Sequence, residues 1–130
     1  MKVFVYGTLR KGMVNDYMMK DSLFISYGYI RGSLYMIENA DYPGYIEAGN
    51  DLILGEIYEV DESNIEALDY FEGYLGEGKN NLYDKVVCPI YDNSKIIDYL
   101  PVYVYHIRNN PKLGVKIESG DFSGYIKNKG

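Results

Sequence analysis

Tryptophan is absent from this 130-residue chain, cysteine and histidine occur once each, and proline four times. With Cys88 alone no internal disulfide can form, and one cysteine with one histidine, His106, gives no cluster of metal-ligand spacing. Zinc and thiol catalysis are therefore poorly supported. No run of Lys or Arg exceeds the pair Arg10-Lys11 and the formal net charge is −6, so the sequence carries no electrostatic footprint for nucleic acid or an anionic membrane. No apolar stretch approaches the ~18 residues that a membrane span needs, and the N-terminal apolar run is too short and too β-like for a signal peptide. These absences lead us to expect a cytoplasmic protein that needs no metal and binds neither nucleic acid nor membrane.

What is present is a hydrophobic fraction of 47%, enough for one core, so the expectation is a single domain over residues 1–130. Sixteen tyrosines stand against four phenylalanines, and each buried ring brings a hydroxyl that needs a partner. Either some of them line a polar cavity or the excess is compositional. Turn signals recur at short spacing and separate β-branched or tyrosine-rich stretches. Strands are predicted at Lys2–Tyr6, Tyr27–Leu34, Tyr45–Glu47, Leu52–Glu59, Tyr83–Tyr91 and Leu100–His106, with helices at Asn15–Lys20 and Ser63–Glu72. The class is α+β, and a closed or nearly closed barrel suits six short strands.

Two segments depart from a purely structural pattern. The first strand runs directly into Tyr6-Gly7-Thr8-Leu9-Arg10, where Gly7 permits a sharp turn with exposed N–H groups, and such a turn attracts carboxylates. The second is the end of the Ser63–Glu72 helix. Ser63 and Glu66 have the spacing of a capping box and Gly73 suits the position after the helix. Ile65, Ala67, Leu68 and Phe71 sweep one apolar arc at 3.6-residue periodicity, and Glu72 falls inside it. A carboxylate in the last turn also opposes the helix dipole. Glu72 is then either a functional group or the exposed end of a fraying helix.

The chain resembles the gamma-glutamylcyclotransferase-like family, which includes the gamma-glutamylamine cyclotransferases and AIG2-like proteins. The likeness rests on YGTLRKG at Tyr6–Gly12 followed by Asn15, LGEIYEV at Leu54–Val60, LDYFEG at Leu68–Gly73, the following LYDKVVCPIY, and the ending YVYHI…IESGDFSGYI. It implies a small mixed β-barrel with flanking helices. It also implies that Tyr6, Gly7, Thr8 and Leu9 bind the substrate's α-carboxylate through backbone N–H groups, that Glu72 is the acid–base group, and that Tyr83 lies beside the substrate. Asp16 stands where many relatives have His, and Phe122 where many have Trp, so the pocket wall is expected to differ there.

The implied chemistry is cyclisation of a γ-glutamyl amine or peptide to 5-oxoproline, with the substrate's own α-amine as nucleophile and no cofactor. The same site in a biosynthetic pathway would remove a γ-glutamyl protecting group. In another class of function, the fold is a non-catalytic module for small carboxylates. A P-loop is excluded, since no Gly-Lys-Ser/Thr follows the glycine. Arg10 is read as a solvated side chain or an outer partner of the α-carboxylate, Asp121 as a turn or cap residue, His106 as a locally satisfied strand residue, and Cys88 as packing.

Overall fold

The structure, a computed structural model, describes residues 1–105 and 113–128. Its strands are β1 (Lys2–Val5), β2 (Leu23–Ile37), β3 (Pro43–Glu59), β4 (Tyr83–Asp92), β5 (Lys95–Tyr105) and β6 (Leu113–Lys116); its helices are α1 (Glu62–Phe71) and α2 (Phe122–Asn128). The predicted segment at Asn15–Lys20 is a short 3-10 turn over Asp16–Met19. His106, the last residue of the sixth predicted strand, lies outside the described residues.

One sheet carries the order β1-β3-β2-β4-β5, with β6 on the same edge of β2 as β4. Alternation along β1 sends Phe4 into the interior with Ile30, Leu34, Ile53 and Ile90, while Val3 and Val5 pack on the other side with Ile65 and Leu68 of α1. Phe122 of α2 belongs to the interior cluster, so α2 packs against it. Phe122 is therefore a core residue.

Three expectations are corrected. The predicted strands Tyr45–Glu47 and Leu52–Glu59 are parts of one strand, β3. The register passes from Gly32↔Asp51 to Ser33↔Ile46, so residues 47–50 bulge outward, and the Ser33 hydroxyl donates to the Ala48 carbonyl at 2.7 Å. The barrel does not close, and every ladder among the described residues is antiparallel rather than mixed. Four-residue β1 ladders with β3 alone. The seam to β5 is bridged instead by side chains, Lys2 Nζ to Asp98 at 3.2 Å and the Tyr6 hydroxyl to the Tyr103 carbonyl at 2.8 Å. Finally, β6 and α2 were not foreseen; four and seven residues are too few to show a period.

Candidate active site

At the Tyr6 end of that seam lies a cavity of about 430 Å³. Its lining includes Tyr6, Gly7, Thr8, Leu9, Glu72 and Tyr83, so the six residues expected to bind substrate or act as the acid–base group meet at one place. Phe4, Asp41, Tyr42, Phe71, Leu82 and Tyr103 are among the others.

The loop after β1 is folded by its own second half. Arg10 N–H donates to the Gly7 carbonyl at 3.0 Å; Asn15 donates its backbone N–H to the Thr8 carbonyl and its side-chain amide to Thr8 Oγ1, both at 3.0 Å. The N–H groups of Gly7, Thr8 and Leu9, by contrast, donate to no described residue. Gly7 is required by close approach, since a Cβ there would lie 2.8 Å from Pro43 Cγ. The Leu9 side chain is buried in the cluster under α1, which leaves its backbone as the part available to a ligand.

Arg10 overturns its expectation. It is 5% exposed and neither solvated nor aimed into the cavity: Nε contacts Glu56 at 3.0 Å and Nη1 contacts Asp121 at 2.8 Å. Glu56 also accepts the Lys11 N–H and the Tyr58 hydroxyl, each at 2.9 Å. Asp121 accepts the Gly124 N–H at 3.1 Å, the cap role foreseen for it, and ties α2 to the loop. Asp16 receives the Gly12 N–H at 3.0 Å and does not line the cavity; nor does Phe122. The departures from the family pattern at these two positions therefore leave the pocket wall untouched. Glu56 was missed, because its partner Arg10 lies 46 residues away and nothing local in the sequence points to the pair.

Glu72 is held at the C-terminus of α1 by a Schellman motif. Gly73, at φ +70, donates to the Tyr70 carbonyl at 3.1 Å, and Tyr74 N–H to the Asp69 carbonyl at 2.8 Å. A pinned end rules out fraying. The capping box does not form: Asp61 is the N-cap, and no side chain closes it. The buried stripe is also narrower than the predicted arc, comprising Ile65 and Leu68, with Ala67 exposed and Phe71 at the cavity rim. Glu72 continues the i, i+3, i+7 row of Ile65 and Leu68, which is why its carboxylate turns into the protein. It has no hydrogen-bond or ion-pair partner among the described residues. Burial alone lifts its pKa to about 7.

Tyrosines surround this carboxylate without donating to it. Tyr83 gives its hydroxyl to the Pro43 carbonyl at 2.6 Å, Tyr6 to the Tyr103 carbonyl, and Tyr103 to Asp69 Oδ1 at 2.6 Å, where Lys85 Nζ also binds at 2.9 Å. Burial raises the hydroxyl pKa values of Tyr6 and Tyr83 far above the ordinary range, helped next by the charge of Glu72 at Tyr6 and by Tyr6 and then Glu72 at Tyr83. They remain neutral. Among the described residues no group of three or more His, Cys, Asp or Glu side chains is placed to hold a metal ion, and none of the described helices is long and apolar enough to cross a membrane.

Comparison with known proteins identifies the class to which this α+β fold belongs. Residues 3–124 match the family described as gamma-glutamyl cyclotransferase, AIG2-like, and the chain belongs to that family of enzymes. It is 41% identical over 90 residues to the gamma-L-glutamyl-butirosin B gamma-glutamyl cyclotransferase of Niallia circulans, a match covering 68% of this chain and 56% of that protein. A putative gamma-glutamylcyclotransferase of Methanocaldococcus jannaschii is 34% identical over 125 residues, covering 95% of this chain and 96% of that one. Among solved structures, YkqA of Bacillus subtilis superposes with a TM-score of 0.72 at 28% identity, covering 99% of this chain and 42% of that one. A mouse AIG2-like protein superposes with a TM-score of 0.63 at 23% identity, covering 85% of this chain and 78% of that one, and supports the fold alone.

Proposed function

We propose that the chain works as a single-domain gamma-glutamylcyclotransferase that converts a γ-glutamyl amide to 5-oxoproline and the free amine, with Glu72 as the acid–base group. The observation that carries this reading is Glu72, without a partner among the described residues, in the same cavity as the N–H groups of Gly7, Thr8 and Leu9, which donate to no described residue. Those N–H groups receive the substrate's α-carboxylate. Tyr83 and Tyr6, fixed through their own hydroxyls, wall the curled glutamyl chain and keep it in a reactive geometry.

The α-ammonium enters with three N–H protons. Glu72, with a pKa of about 7, accepts one, and the freed amine attacks the γ-carbonyl carbon. When the tetrahedral intermediate collapses, the γ-C–N bond breaks and the lactam keeps a single N–H. The other two protons pass to the leaving nitrogen, the first through Glu72, and it departs as an ammonium ion. No co-reactant is consumed. A glutamate held near pH 7 serves both transfers better than one at 4.5, because it is a stronger base and still delivers the proton.

The test compares a γ-glutamyl amide with its α-N-acetylated form, following 5-oxoproline and glutamate by mass spectrometry with a chelator present. Only the free amine should react, giving 5-oxoproline alone and undiminished by chelation. Glutamate release, or loss of activity on chelation, contradicts the mechanism; no product across a broad γ-glutamyl panel favours the carboxylate-binding module. A second reading, removal of a γ-glutamyl group from a larger biosynthetic amine by the same cyclisation, is favoured by the 41% identity to the butirosin B enzyme. This chain spans 56% of that protein, so its substrate does not transfer directly.

A further inference from the structure

The cavity has two ends of different chemistry. Its inner wall is buried: Phe4 is 1%, Tyr83 4% and Tyr6 6% exposed. Its exposed lining residues are Val14, Asp41 and Phe71, and these mark the mouth. If the glutamyl group is held between the loop N–H groups and Glu72, the amide nitrogen must point its substituent towards that mouth. The chain leaves room for little else, since the opposite side of the cavity is closed by packed rings.

Among the described residues, charge along this route has one sign: the lining includes Glu72 and Asp41 and no described Lys, Arg or His. The described cations within two residues of the lining are engaged elsewhere: Arg10 is sealed between Glu56 and Asp121, Lys85 is paired with Asp69, Lys2 is paired with Asp98, and Lys11 lies over the Phe24 ring at 4.2 Å. Asp41 itself has no ion pair or hydrogen bond among the described residues. It is also held in place, because the connection between β2 and β3 is a tight turn in which Ile37 N–H donates to the Tyr42 carbonyl at 3.1 Å, Ala40 N–H donates to the Ile37 carbonyl at 3.1 Å, and Asn39 takes φ 60. An acidic residue held by this turn, without a partner among the described residues and sharing the lining with apolar residues, suits an aliphatic chain with a cationic head. A leaving group ending in a carboxylate meets repulsion from it.

From this arrangement we infer that Asp41 is a specificity-determining residue, and that the leaving group is an amine carrying a second positive charge rather than an amino acid or peptide with a free carboxylate. The inference rests on the cyclisation proposed above and adds the substrate class to it. Attraction of the cation and repulsion of the anion at an exposed carboxylate together should separate the two by about tenfold in kcat/KM.

The experiment uses three γ-glutamyl amides of equal chain length, ending in an ammonium, a methyl and a carboxylate group, with the wild-type protein and Asp41→Asn and Asp41→Lys. The wild type should prefer ammonium over methyl over carboxylate. Asp41→Asn should compress the range to within about threefold and Asp41→Lys should reverse its order. Should Asp41→Lys fold poorly, the compression in Asp41→Asn decides the matter alone. Equal wild-type rates on the three amides, or a preference that survives Asp41→Asn, overturns the inference while leaving cyclisation intact. An absence of 5-oxoproline from all three removes the cyclisation reading and this inference with it.

Discussion

Glu56 and Glu72 are both withdrawn from bulk water, and the protein treats them in opposite ways. Glu56, 1% exposed, accepts from the Arg10 guanidinium, the Lys11 N–H and the Tyr58 hydroxyl. Glu72 accepts from no described residue, and its pKa rises to about 7. A buried charge that is fully paired is a structural fixture, whereas one left unpaired resists ionisation and is available to exchange a proton. The two are linked through one loop. Glu56 and Arg10 anchor the second half of the turn after β1, and the first half keeps its N–H groups open towards Glu72.

The comparison is broken most severely at Glu72. Glu72→Gln keeps the shape and removes proton exchange, so 5-oxoproline release should fall by about 10²–10⁴-fold with an unchanged circular dichroism spectrum. More than a tenth of wild-type turnover would sink the assignment. At Glu56 the effect should appear in stability instead. Glu56→Ala strands Arg10 with Asp121 alone and should cost about 3–5 kcal/mol in urea denaturation, whereas Glu72→Gln should cost less than about 1.

The pH dependence of stability sharpens the contrast. The folded pKa of Glu72, about 7, lies above its ordinary 4.5, so the neutral form favours the folded state. This contribution is fully present below about pH 4.5 and is lost as pH rises through about 7, by up to about 3 kcal/mol at 1.36 kcal/mol per unit. The groups facing Glu72 do not disturb that window: Tyr6, Tyr83 and Tyr103 stay neutral throughout, and Asp69 is paired with Lys85. Denaturation midpoints followed from pH 4 to 8 should decline in the wild type and flatten in Glu72→Gln. The smallest effect is expected at the anchor. Gly7→Ala would set a Cβ 2.8 Å from Pro43 Cγ and displace the loop, raising KM by about tenfold, or about 1.4 kcal/mol, with little change in kcat.

The residues that break a local rule were legible in the sequence, and those that satisfy one through distant partners were not. Glu72 stood out because it violates both the apolar stripe and the helix dipole, and Gly7 because it ends a strand abruptly. Arg10 looked solvated since nothing adjacent to it announces Glu56 or Asp121, which lie 46 and 111 residues away. The same reason hid Asp41, whose importance depends on which side chains are missing around it. In the fold, Lys2–Tyr6 and Tyr83–Tyr91 matched β1 and β4 closely, because period-2 patterning is a local property. The open seam between β1 and β5 and the bulge that joins two predicted strands into β3 depend on pairing register, which no single segment encodes.

The most direct measurement is a carbon-13 NMR titration of the Glu72 side-chain carboxyl in the free protein, assigned by its disappearance in Glu72→Gln. A midpoint near 7 is expected, since burial without a donor is its only perturbation. A midpoint at or below 4.5 would show a solvated or partnered carboxylate and contradict the claim that the protein withholds hydrogen bonds from Glu72 to make it a base.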